Sequence, residues 1–415
     1  MSADLLSYAK ADAIVASFAR ELSRAHPHQE RIALEKATDR VLAEPIVADQ
    51  DQPPFARSTR DGFACSAAEA SEHEFLRVAG STHAGEVPVG PLPAQAVWEI
   101  MTGAAVPEHA DAVIMLEHVE RETDRVRLLR DRKIKAGENI VARGAQARRG
   151  DALLAPGRII GPAQIALAAT CGFSELVVYE RPRVAILTTG DELVAIEREP
   201  GPGQIRNSNA SMLASLVAQA GGAPWVLPTA SDSPEALDSA LGLALDADML
   251  VISGGVSAGK FDLVEPALAR MGAQFHFTGI RIQPGKPLVF GHVPRASGAA
   301  LPFFGLPGNP ISSAVTFQLF AAQILAALAG RTNFRPKFLV AQLAQDTDRK
   351  GKPGLTRFLP ASCEFQSNDL FPQVATIPWH GSGDLPAFAR SNCVVVIPED
   401  EATLEAGEHV RILMI

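Results

Sequence analysis

The apolar residues Met249, Leu250, Val251 and Ile252 run straight into Ser253-Gly254-Gly255-Val256-Ser257-Ala258-Gly259-Lys260-Phe261-Asp262, and a helix-like segment follows from Leu263. Strand, glycine turn and helix start, in that order, commit this part of the chain to an α/β arrangement. Glycines let the backbone turn its N–H groups toward one point, and the positive end of the next helix faces the same way. An anion is therefore the natural occupant. Asp262 opposes a bare anion, because two negative groups repel unless a cation lies between them. A phosphate or oxyanion handled with Mg²⁺ reconciles the two. A tight connection with Asp262 as a helix cap accounts for the same residues without a ligand.

A chain of 415 residues exceeds what one hydrophobic core supports, so about two to four domains are expected. The net charge of −9 argues against general nucleic-acid binding, so any anion site must be local. The amino-terminal residues lack a basic segment and no apolar run is expected to approach about 18 residues, which predicts a cytoplasmic protein without membrane insertion. Cys65, Cys171, Cys363 and Cys393 lie far apart with no Cys-x-x-Cys pair, which fits reduced thiols. The ten histidines form no metal-ligand pattern.

Residues 4–24 and 30–43 carry apolar positions at helical spacing, so 1–45 is expected to form helical segments packing with a linking region at 147–182. From 46 to 146 short apolar runs alternate with Pro and Gly, as in an inserted β-rich module. Between 183 and 330 strand and helix patterns alternate, predicting an α/β domain whose parallel strands gather their loops at one edge. Residues 331–415 return to short strands, a small terminal β-barrel or sandwich.

Several polar clusters end the predicted strands of that α/β domain. Thr189-Gly190-Asp191-Glu192 follows the first, 229–232 the second, the glycine turn with Asp262 the third, and Leu306-Pro307-Gly308-Asn309-Pro310 the last. Gln283-Pro284-Gly285-Lys286-Pro287 joins two further strands. Glu192, Asp232 and Asp262 would then face Ser257, Lys286 and free backbone amides across one cleft. Carboxylates that hold hydrated Mg²⁺, beside Lys and N–H groups that take up charge on oxygen, are what phosphoanhydride cleavage needs. Taken singly, each also reads as a surface acid, a cap, a turn or a solvated charge. In the inserted module, Ser58-Thr59-Arg60-Asp61-Gly62 alone reads as a hairpin turn.

Taken together these segments resemble the molybdopterin molybdenumtransferases, the family of bacterial MoeA proteins and the C-terminal domain of gephyrin. The resemblance runs through Ser58-x-x-Asp61-Gly62-x-Ala64, Met101-Thr102-Gly103-Ala104, Gly137-Glu138-Asn139-Ile140, Thr189-Gly190-Asp191-Glu192-Leu193 and Asn207-Ser208-Asn209. It continues through Ser253-Gly254-Gly255-Val256-Ser257, Pro284-Gly285-Lys286-Pro287, Leu306-Pro307-Gly308-Asn309-Pro310 and Ser391-Asn392-Cys393. It implies an α/β and β multidomain protein, with an α/β molybdopterin-binding domain, an inserted β-rich module, a helical linking region and a C-terminal small β-barrel, in an elongated homodimer. It also implies Mg²⁺-dependent insertion of molybdate into the dithiolene of adenylylated molybdopterin, with release of AMP. A molybdopterin adenylyltransferase and apo-molybdoenzymes are the implied partners.

By position, the resemblance puts Asp61, Thr102, Glu192, Asp232 and Asp262 in catalytic places, the last three as metal ligands. Gly254, Gly255, Ser257, Lys286, Pro287, Pro307, Gly308, Asn309 and Ser382 fall on substrate-binding places. Many relatives carry Lys where Gln283 stands, Asp where Gln146 stands and Arg where Leu355 stands. Arg357, two residues beyond Leu355, would share its face in a strand and is the candidate replacement cation. A non-catalytic pterin-binding or scaffold protein of the same fold is the alternative, though it would not need acids around an anion pocket. A nucleotide-binding hydrolase or pterin adenylyltransferase on the same core leaves the inserted module and the terminal β domain unexplained.

Overall fold

The computed structural model describes residues 5–22, 28–255, 263–295, 298, 300–347, 354–365, 370–401 and 403–415. Ser257 and Asp262, both assigned to the site above, lie outside the described residues.

Residues 183–306 build a six-stranded sheet in the order Ala223–Val226, Arg183–Thr188, Met249–Ser253, Ala300–Leu306, Val289–Pro294, Gln274–Thr278. The first four strands are parallel, whereas Val289–Pro294 runs against both its neighbours, so the sheet is mixed rather than parallel throughout. Central parallel strands are covered on both faces, and their continuous apolar sequence follows from that. Val184 and Ile186 enter the core beside the helices Tyr8–Leu22 and Ser208–Gln219, while Ala185 and Leu187 enter the opposite one beside Pro234–Ala244 and Val264–Arg270. Side chains that alternate across the strand thus feed two separate cores.

The run Pro310–Leu328 corrects one expectation. Its 19 residues are long and apolar enough to cross a bilayer, yet 83% of that stretch is buried inside the fold, where Phe317, Phe320 and Ile324 pack into the first core. A helix this apolar all round is the buried helix of a large core.

The first 45 residues do not act as one unit. Helix Tyr8–Leu22 lies in the α/β core, not beside 147–182. Residues 30–43 are not helical: Gln29–Ala33 is a strand paired with Glu175–Tyr179, followed by the single 3₁₀ turn Leu34–Lys36. Ala37, Leu42 and Ile46 pack with Ile160, Ala168 and Val178 in a separate small core.

Asp12 anchors the amino-terminal helix. It is 8% exposed, and its carboxylate accepts from Gln323 Nε2 at 2.8 Å and from Arg335 at 2.6 Å. Asp12→Ala should lower the unfolding free energy by roughly 2–3 kcal/mol, less than for a fully buried pair because the Arg335 head reaches solvent. Urea denaturation with an unchanged m-value would check it.

The inserted module is a six-stranded sheet in the order Ala112–Met115, Gly62–Cys65, Ala96–Ile100, Leu76–Thr82, Arg125–Leu128, Val119–Glu122. At the carboxyl end, the strands Thr356–Glu364, Gln373–Thr376, Phe338–Leu343, His409–Met414 and Cys393–Ile397 follow one another, and the last pairs back with the first, closing a small barrel. Leu6–Ser7 pairs in parallel with Ile280–Gln283, which pairs in parallel with Thr356–Glu364. All four cysteines are buried and free, and burial pushes the Cys65 and Cys393 thiols up to about 12.

Candidate functional site

Four parallel strands end at one sheet edge, so Thr189, Leu227, Gly254 and Pro307 leave it together. Val289 lies opposite Gly305 in the antiparallel pair, which brings the preceding Lys286-Pro287 to that same edge. Topology therefore gathers Glu192, Asp232, Gly254, Gly255, Lys286, Pro287, Pro307, Gly308 and Asn309, as expected for the open edge of such a sheet.

Polar side chains hold these loops in register. Asn209 Nδ2 donates to Ser253 Oγ at 2.9 Å and to the Gly308 carbonyl at 2.7 Å, tying two strand ends together. Asn207 caps the helix Ser208–Gln219 by accepting from Ala210 N–H, and donates to Thr188 Oγ1 and Thr229 Oγ1. Asn309 stands at the cap position of Pro310–Thr316 but spends its amide on Ser382 Oγ at 2.9 Å, joining the α/β domain to the terminal domain. Asn209 and Asn207 were given no role from the sequence. An Asn-Ser-Asn segment directly before a helix pattern was the available signal.

Gly254 and Gly255 adopt φ of +99° and +65°. A Cβ on Gly254 would stand 2.6 Å from the Thr189 carbonyl oxygen, so only glycine fits both the angle and the space. Gly190 has φ +143°, and the Glu192 carboxylate folds over it. The loops after the first two strands run side by side: Thr189 bridges Ala230, and the Asp232 N–H donates to Asp191 Oδ1 at 3.1 Å. Glu192 and Asp232 are both exposed. A pocket of about 90 Å³ lies among Thr189, Glu192, Arg206, Asn209, Gly254 and Gly308. A larger cavity of about 420 Å³ lies between Tyr8 and the Glu399-Asp400-Glu401 turn, but none of the site residues expected from sequence lines it.

Two expectations need adjustment. Strand Thr356–Glu364 begins after Leu355, so the alternation that would set 355 and 357 on one face starts too late. Arg357 is only 3% exposed, opposite Gln283 on one side and Ile397 on the other, a cation inside the sheet seam rather than on an open rim. Asp61 and Thr102, in turn, sit in the inserted module and bond each other. Among the described residues no hydrogen bond or ion pair links them to the glycine-turn edge.

Asp61 Oδ1 accepts from the Thr102 N–H at 2.6 Å and from its hydroxyl at 2.7 Å, and these two bonds, the backbone one first, hold its carboxyl below the usual range. A depressed carboxyl pKa stabilises the fold above the unfolded pKa, and that contribution is lost as pH falls through the folded value. Thr102→Val removes the second donor, so the Asp61 pKa should move part-way up, and the smaller contribution that remains should be fully lost at a higher pH. A ¹³C carboxyl titration of both proteins would measure the difference.

With the geometry in place, comparison with known proteins decides the family. Residues 6–172 match the MoeA N-terminal region (domain I and II), 185–327 a probable molybdopterin binding domain, and 342–415 the MoeA C-terminal region (domain IV). The molybdopterin molybdenumtransferase of Bacillus subtilis is 34% identical over 93% of this chain and 90% of its own. The chain belongs to the molybdopterin molybdenumtransferase family. Its relative of that name from Haemophilus influenzae is 31% identical over 92% of this chain and 93% of its own. The molybdopterin biosynthesis moeA protein of Pyrococcus horikoshii OT3 shares the fold at a TM-score of 0.80 and 28% identity, over 99% of this chain and 100% of its own. The mixed α/β domain, β-rich module and closed terminal barrel are thus the molybdenumtransferase architecture.

Proposed function

We propose that this enzyme inserts molybdate into the dithiolene of adenylylated molybdopterin, with Mg²⁺-dependent release of AMP, as a homodimer. The convergence of Glu192, Asp232, the glycine turn and Lys286 at one sheet edge carries this reading. Glu192 and Asp232 offer hard oxygen donors at neighbouring strand ends; among the described residues no three metal-binding side chains cluster. That donor set fits Mg²⁺, which takes one or two carboxylates and fills its remaining positions with water and substrate phosphate. Bound there, the cation would neutralise charge on the phosphate oxygens. Lys286, exposed at the edge, draws the tetrahedral dianion by point charge, and Ser382 is held beside the Asn309 loop to donate to it. Asp262 and Ser257 keep their proposed roles in this reading.

The dithiolene sulfurs are themselves the ligands that molybdenum needs, so buried protein thiols are no obstacle. Because among the described residues no hydrogen bond or ion pair ties the Asp61–Thr102 pair to its own cleft, the homodimer would let the module of one chain serve the cleft of the other. Purified protein incubated with adenylylated molybdopterin, Mg²⁺ and molybdate should release AMP and reconstitute an apo-molybdoenzyme. AMP without reconstitution would refute insertion, and neither product would favour a non-catalytic pterin-binding protein.

A further inference from the structure

Ser382 lies in the loop that joins the strand Gln373–Thr376 to the short helix Leu385–Ala389. Asn309 Nδ2 donates to its Oγ at 2.9 Å, and its carbonyl accepts from the Ile311 N–H at 3.1 Å. The loop is thereby seated on the start of Pro310–Thr316, the helix against which Gly285 also sets the Lys286 turn. The Asn309 amide takes one lone pair of the hydroxyl and leaves its proton without an acceptor among the described residues. A free O–H serves an anion well only if the backbone behind it is fixed.

Asp384 does that fixing, and it uses both oxygens. Oδ1 accepts from the Ala387 N–H at 3.1 Å, the ordinary cap of Leu385–Ala389. Oδ2 accepts from the His380 N–H at 2.9 Å, while the Asp384 N–H donates to the Gly381 carbonyl at 3.0 Å. These last two bonds close residues 380–384 on themselves with Ser382 in the middle. A helix cap needs one oxygen, so the helix does not account for the second. The Asp384 side chain is 16% exposed, and the backbone N–H groups of His380 and Ala387, in that order, hold its carboxyl below the usual range.

We propose that Asp384 is a positioning residue, whose second carboxylate oxygen fixes the Ser382 loop so that the Ser382 hydroxyl is held ready to donate to the oxyanion. The inference rests on reading Ser382 as part of the molybdate pocket. Asp384→Ser keeps one oxygen for the cap and has none left for His380. Asp384→Asn keeps the Oδ1 cap and sets an amide donor against the His380 N–H.

Calorimetric titration of each protein with molybdate tests it. The dissociation constant should rise roughly tenfold in Ser382→Ala, the worth of one hydrogen bond to a charged group, and by a similar factor in Asp384→Ser and Asp384→Asn. Ser382→Ala combined with Asp384→Ser should bind no worse than the weaker single variant, because a displaced hydroxyl has nothing further to lose. Asp384→Ser combined with Lys286→Ala should instead multiply the two losses, since Lys286 sits on a separate loop. A general loosening of the cleft would couple Asp384 to both. The thermal midpoint of Asp384→Ser should stay within about two degrees of the parent, because Ser caps a helix nearly as well as Asp.

Parent-like affinity in both Asp384 variants beside a weakened Ser382→Ala would reduce Asp384 to a helix cap and overturn the proposal with the pocket intact. Multiplied losses for Ser382 and Asp384 would overturn it too. Undiminished affinity in Ser382→Ala would take Ser382 out of the pocket, and the proposal falls with that assignment. Molybdate binding that depends jointly on Ser382 and Asp384, in a parent protein that releases no AMP from adenylylated molybdopterin, would retain the positioning role and refute the reaction.

Discussion

Glu192→Gln should reduce the rate of AMP release by about a hundredfold or more at saturating substrate, the size of effect that follows loss of one preorganised group facing transition-state charge. The substitution keeps length and shape and removes only the negative charge. Glu192 is exposed and its carboxylate lies over Gly190, so the fold has little stake in it. Its thermal midpoint should therefore stay within about a degree or two of the parent, because surface changes of this kind rarely exceed about 0.5 kcal/mol. The Mg²⁺ concentration for half-maximal rate should rise at the same time, since a neutral amide is a weaker ligand for a hard cation. AMP quantified by chromatography across a Mg²⁺ series separates the two effects. Activity within threefold of the parent would remove Glu192 from the chemistry.

Lys286→Ala should act on the second substrate instead. Pro284 and Gly285 are buried, and a Cβ on Gly285 would meet Thr316 Cγ2 at 2.4 Å, so the loop is seated on the helix Pro310–Thr316 and presents Lys286 outward. Removing one charge-assisted contact should raise the molybdate concentration for half-maximal insertion by about ten- to a hundredfold. Release of AMP without molybdate should change by less than about threefold, because the ammonium is assigned to the dianion and not to the anhydride. Insertion measured against molybdate, with AMP followed in parallel, gives both numbers. Equal losses in the two would move Lys286 to the anhydride.

The strand ends that carry Glu192 and Asp232 were legible because buried parallel strands are written as unbroken apolar runs closed by polar loops, as in Val184-Ala185-Ile186-Leu187. Local pattern misled where a distant partner decides. Gln29–Ala33 contains good helix formers, yet pairing with Glu175–Tyr179, some 140 residues away, makes it a strand. Gly279 at φ +94° divides the apolar stretch 275–282 between two strands of different sheets, Gln274–Thr278 and Ile280–Gln283. Arg357 could not be placed from its own neighbourhood, because its burial comes from lying between Gln283 and Ile397.

The parallel ribbon of Leu6–Ser7, Ile280–Gln283 and Thr356–Glu364 has a practical corollary. Its middle strand ends at Gln283, one step before the turn that displays Lys286, so the pitch of that turn is set by backbone bonds to both outer strands. Whatever tugs on the outermost strand, a purification handle fused close ahead of Leu6 or a trimmed amino end, pulls on the turn that carries Lys286 through a lever only three strands wide.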